Sequence, residues 1–149
     1  MILAREAIQA LIPHQGAMCL WDEVMAWDAA SIRLRAHGHR DPAHPLRSDG
    51  RLRAVHLCEY GAQAMAVHGG LRADAPARQG LLVALREVRL HVARADDLPG
   101  ALEGEADVLA DAGHSQQYAF RIVHAGALLA EGRAAVMFRD GLAAPTDAG

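Results

Sequence analysis

The chain has 149 residues, a hydrophobic fraction of 52% and a formal net charge of -3. That supports one domain with a sizeable core and excludes a disordered segment. Aromatics make up only 4%, no basic block stands out and all 15 basic residues are arginine. These features argue against nucleic-acid binding and exclude a Schiff base or a lysine-dependent phosphate loop.

In chain order, the spacing of Ala4, Ala7, Ile8 and Leu11 predicts a short amphipathic helix over Arg5 to Leu11, ended by Pro13. Met18 to Trp27 reads as a strand, and Ser31 to Ala36 as a second whose arginines face water. His37 to Gly50 is a loop, with Ser48 or Asp49 placed to cap the next helix. That long helix is expected from about Arg51 to Val67 or His68, stopped by Gly69-Gly70. It is apolar nearly all round, as a surrounded helix should be. After a loop over Arg72 to Arg78 come four strands, near Leu81–Val92, Ala101–Leu109, Gln117–Val123 and Leu128–Phe138. The last two are joined by a hairpin at His124-Ala125-Gly126. The fold class is therefore α+β, an antiparallel sheet wrapped around one central helix. Residues 1–139 form the domain, and 140–149 read as a disordered tail. A sheet with a helix on one face usually pairs with a second copy, so a homodimer or higher homo-oligomer is expected.

No apolar run reaches the length of a membrane span, and the N-terminus lacks the pattern of a secretion signal. A cytoplasmic protein with no membrane association is the expectation, with Cys19 and Cys58 as reduced core residues.

Chemistry concentrates in two places. Glu59 and Gln63 lie one turn apart on the stripe of Leu52, Val55, Ala62 and Ala66. Burying a carboxylate raises its pKa and suits it to hold a proton near neutrality. The alternative is a wet strip, or an ion pair with Arg53. His14 sits between Pro13 and Gly16, which fixes its approach and frees its exit; histidine is a natural base near neutral pH. The alternative is an ordinary polar loop histidine. His37, His39, Asp41 and His44 could bind zinc but offer no fixed geometry, so no metal is expected. No serine lies in a nucleophile elbow, and Cys58, inside an apolar helix, should be inert.

Together, Pro13-His14-Gln15-Gly16-Ala17-Met18 ahead of Leu20-Trp21-Asp22-Glu23-Val24, and Glu59-Tyr60-Gly61-Ala62-Gln63 in the helix, resemble the 3-hydroxyacyl-(acyl carrier protein) dehydratases of the FabA/FabZ type. The Glu-Tyr ahead of Ala-Gln is most similar to the divergent branch of aryl-polyene-type pathways. The resemblance covers about residues 7–138. It implies a hotdog fold, with His14 of one subunit and Glu59 of the other sharing an interface site. It implies a substrate carried on the phosphopantetheine of acyl carrier protein or coenzyme A, and no other cofactor. His14 would take the C2 proton, and Glu59 would protonate the departing C3 hydroxyl. Gln63 would orient Glu59 or a water, and Gly16 would border the substrate. Amides of Ala54 or Val55, at a helix entry that here lacks the family's Pro-Gly, would polarise the thioester oxygen. Arg47, Arg51 and Arg53 could meet the carrier, or be a solvated face. The same fold could instead support a thioesterase, or an acyl- or carrier-binding protein without turnover.

Overall fold

Alternation dictates the sheet. Over Ser31–Ala36, Ile32, Leu34 and Ala36 are buried while Arg33 faces water, and Leu102, Gly104 and Ala106 repeat the pattern on the next strand. The computed structural model describes residues 2–73 and 80–138. A two-residue strand β1 (Leu3–Ala4) leads into α1 (Arg5–Gln9), then β2 (Glu23–Trp27) and β3 (Ser31–Ala36). The long helix α2 (Leu57–Ala73) is followed by β4 (Gly80–Leu90), β5 (Leu102–Asp111), β6 (Ser115–His124) and β7 (Ala127–Phe138). The strands form one antiparallel sheet in the order β1-β2-β3-β5-β6-β7-β4, and α2 packs against β3, β5, β6 and β7. This is the hotdog arrangement.

Several expectations need correction. The strand expected from Met18 begins only at Glu23, because Gly16–Met18 forms a 3-10 turn and residues 18–21 bind α2 instead of a strand. Ser48 and Asp49 do not cap the helix. They form a tight turn, with Asp49 at φ 54° and Gly50 at φ 72°, closed by hydrogen bonds between Ser48 and Arg51. The helix proper starts at Leu57, after a 3-10 turn over Ala54–His56. It runs through Gly69-Gly70 to Ala73, since tertiary contacts hold it on both sides of the glycines. His68 Nε2 donates to the Asp28 carbonyl at 2.7 Å, and Arg72 pairs with Asp111 at 3.1 Å. The rest of the expected 72–78 loop and the tail beyond Arg139 lie outside the described residues.

The buried side of α2 also differs from the expected stripe. Leu57, Tyr60, Gly61, Ala64 and Val67 face the core, while Val55 and Glu59 are exposed. Two glycines permit this packing. A Cβ at Gly61 would stand 2.5 Å from the Phe120 ring, and one at Gly104 would overlap the Trp21 ring. Cys19 and Cys58 are buried free thiols, as expected.

Candidate active site

The segment joining α1 to β2 carries His14 as a strap across one end of α2. Gln15 Nε2 donates to the carbonyls of Gln9 (2.6 Å) and Ile12 (3.1 Å), fastening the strap to the end of α1. Gly16, at φ 57°, turns the chain, and its carbonyl accepts from Arg5 at 2.7 Å. Arg5 also pairs with Asp22 at 3.0 Å, so both ends of the strap are anchored.

His14, Glu59 and Gln63 line one cavity of about 460 Å³. Both proposed acid–base residues are thus in the lining of one cavity of the single chain. His14 Nδ1 is enclosed and has no hydrogen-bond partner among the described residues. Glu59 is exposed, neither buried in the core as its stripe suggested nor paired with Arg53, which reaches Asp49 at 3.5 Å. The cavity follows α2 past Ala62, Ala66 and Gly69 to Arg72, roughly 20 Å along the helix at about 1.5 Å per residue. There Asp111 and Gln116 join it from the sheet. Sequence reasoning missed both, since each comes from a strand with no periodic or motif link to the helix.

Gln63 is 2% exposed. Its Oε1 accepts from the Leu20 N–H at 2.9 Å, and its Nε2 donates to the Met18 carbonyl at 2.6 Å. It thus grips the strap, a role beyond the orienting of Glu59 or a water that the resemblance implied. Ala54, Val55 and Gly16 lie outside this cavity's lining. The Ala54 N–H donates to the Ala93 carbonyl at 3.1 Å, so that amide is already engaged and unsuited to polarise a thioester. Val55 is 56% exposed, at the solvent side of the helix entry.

The three loop histidines weighed as zinc ligands are engaged elsewhere. His44 Nδ1 accepts from the Leu46 N–H at 3.1 Å, so its Nε2 carries the proton and donates to the Tyr60 hydroxyl at 2.8 Å. His39 Nε2 donates to the Leu98 carbonyl, and His37 meets Glu23 at 2.9 Å. Burial pushes His39, His44 and His68 below the ordinary imidazole range and Tyr60 above the phenol range. Among the described residues no cluster of three or more His, Cys, Asp or Glu is arranged to hold a metal ion. Burial, with the nearby Glu59 carboxylate, raises the Cys58 thiol, which leaves it a poor nucleophile.

The family model described as ApeP dehydratase matches residues 6–145. No match was found among curated proteins. The solved dehydratase heterocomplex ApeI:P from Xenorhabdus doucetiae has a chain that superposes with TM-score 0.77 at 22% identity, covering 88% of this chain and 90% of that one. A hypothetical thioesterase with coenzyme A from Streptococcus pneumoniae TIGR4 superposes with TM-score 0.58 at 10% identity, covering 78% and 84%. AziG from S. sahachiroi gives TM-score 0.59 at 15% identity, covering 78% and 89%. At these identities the likenesses establish the hotdog fold.

Proposed function

Because the chain belongs to the ApeP-like dehydratase family, we propose that it converts a 3-hydroxyacyl thioester to the trans-2-enoyl thioester, with His14 as base and Glu59 as acid. The observation that carries this reading is their shared cavity, which continues along α2 as a groove able to accept an extended acyl chain. His14 takes the C2 proton, which the adjacent thioester carbonyl acidifies. The electron pair forms the C2–C3 double bond, and the C3–O bond breaks as Glu59 protonates the leaving hydroxyl to water. The reaction is redox-neutral and both proton transfers fall to these side chains, so the proposal includes no metal or redox cofactor.

The acyl group would arrive on the phosphopantetheine of acyl carrier protein or of coenzyme A, in fatty-acid or polyene-type chain building in the cytoplasm. Arg51, exposed beside the helix entry, offers positive charge to such a carrier. A second copy of the chain would cover the exposed Glu59 and dry the site, which strengthens the electrostatics there.

The test is hydration of a trans-2-enoyl thioester, and the reverse reaction, by wild type, His14→Ala and Glu59→Gln, with free thiol followed in parallel. Each substitution should lower kcat by about 10²–10⁴-fold, the usual worth of a positioned acid or base, with no thiol released. Thiol release by the wild type would replace the dehydratase reading with a hydrolase. Binding without turnover would make this a carrier- or acyl-binding protein.

A further inference from the structure

We infer that Gln63 is a positioning residue that sets the distance between His14 and Glu59, by tying the strap that carries one to the helix that carries the other. The inference rests on the proposed acid–base pair and adds to it a part with its own physical signature.

Several side chains hold the strap. Gln15 fastens it to α1, and Arg5 fastens it to α1 and Asp22. Neither reaches α2. The links to α2 are made by Gln63, through Leu20 N–H and Met18 carbonyl, and by Trp21 Nε1, which donates to the Tyr60 carbonyl at 2.9 Å. Gln63 grips the strap closer to His14, at Met18 and Leu20 where the other tie leaves from Trp21; it lies one helical turn from Glu59 and lines the same cavity as both catalytic candidates. The side-chain amide accepts through its oxygen and donates through its NH2, and each end makes a bond to the same backbone segment. The bond to Leu20 is buried, so water cannot substitute for it cheaply, and the bond to Met18 is part-buried. A shift of about 1 Å in such a tie is enough to cost about a hundredfold in rate.

The demand for one donor and one acceptor makes a sharp test. In Gln63→Glu the introduced carboxyl, while protonated, can still accept from Leu20 N–H and donate to the Met18 carbonyl. Once ionised it can no longer donate, and it repels both that carbonyl and the neighbouring Glu59. The other titratable groups lining the cavity are His14 beside it and Arg72 and Asp111 at the far end, all unchanged in the variant. The rate of Gln63→Glu relative to wild type should therefore be near unity at low pH and fall more than tenfold as pH rises, with KM within about twofold. Gln63→Leu should show low kcat at every pH and faster amide hydrogen exchange at Leu20.

A folded Gln63→Leu variant with raised Leu20 exchange and wild-type kcat would overturn the inference. So would a pH-independent rate ratio in Gln63→Glu. If His14→Ala itself retains the wild-type rate, the acid–base reading fails first and the inference falls with it. Loss of activity in His14→Ala beside full activity in Gln63→Leu sinks only the positioning role. If Gln63→Leu does not fold, the pH dependence of the Gln63→Glu ratio decides alone.

Discussion

At the scale of single residues, the site depends on small groups that make room for large ones. Gly104 faces the Trp21 ring, and Trp21 in turn holds the strap to α2. Gly104→Ala must displace a fully buried indole, so it should cost about 1–3 kcal/mol of stability, the usual penalty for overpacking. Thermal unfolding should show a Tm several degrees lower; an unchanged Tm would mean the ring has space to yield. Asp96 is a second fixed point. The Arg94 guanidinium hydrogen-bonds its carboxylate, which also accepts from the Leu52 N–H, and together these hold it down to about 2. A depressed carboxylate gives stability that is present above its ordinary pKa of about 4 and is lost as pH falls toward its folded value. Asp96→Asn should flatten the acid limb of the stability curve between those limits, measured by denaturant unfolding at each pH.

Among elements, the segment between β3 and α2 is held by neutral histidines. His39 and His44 are both buried in it, and His68 is buried on α2. All three lie below the usual imidazole range through burial. The unfolded chain takes up protons near pH 6.5 more readily than the folded one. The stabilisation is therefore complete above that pH and is lost as pH falls below it. Tm should drop between about pH 7 and pH 5, with net proton uptake on unfolding. A flat profile over that range would show that these imidazoles titrate as freely folded as unfolded. Element boundaries divide in the same way between local and tertiary causes. The turn at His124-Ala125-Gly126 was legible from its residues alone, and Ala125 and Gly126 adopt φ 48° and 82° there. The end of α2 was not, since Gly69-Gly70 signals a stop that contacts from Asp28 and Asp111 override.

Across the whole molecule, β4 ends the strand order, so its outer edge has no partner strand among the described residues. Its Leu85, Val88 and Leu90 are 41%, 38% and 43% exposed. A long edge with exposed apolar side chains invites pairing. If a second copy pairs along this edge, Val88→Glu with Leu90→Glu should shift sedimentation toward the monomer, and the wild type should sediment as a dimer or larger. A wild type that is monomeric at all concentrations would remove the homodimer from the proposed function.

The sequence by itself determined the α+β class, the order of the two helices and the six longer strands, the family and the two segments that carry His14 and Glu59. These arise from periodicity, turn chemistry and local motifs, which are properties of neighbours in the chain. The resemblance also implied that Gln63 orients Glu59 or a water and that the amide of Ala54 or Val55 polarises the thioester. Only the tertiary structure decided that Gln63 meets backbone more than 40 residues away and that Ala54 gives its N–H to Ala93. The same holds for Asp111 and Gln116, which reach the far end of the cavity from the sheet. A donor or acceptor is claimed by whichever partner the packed chain brings within about 3 Å, and no local pattern records that choice.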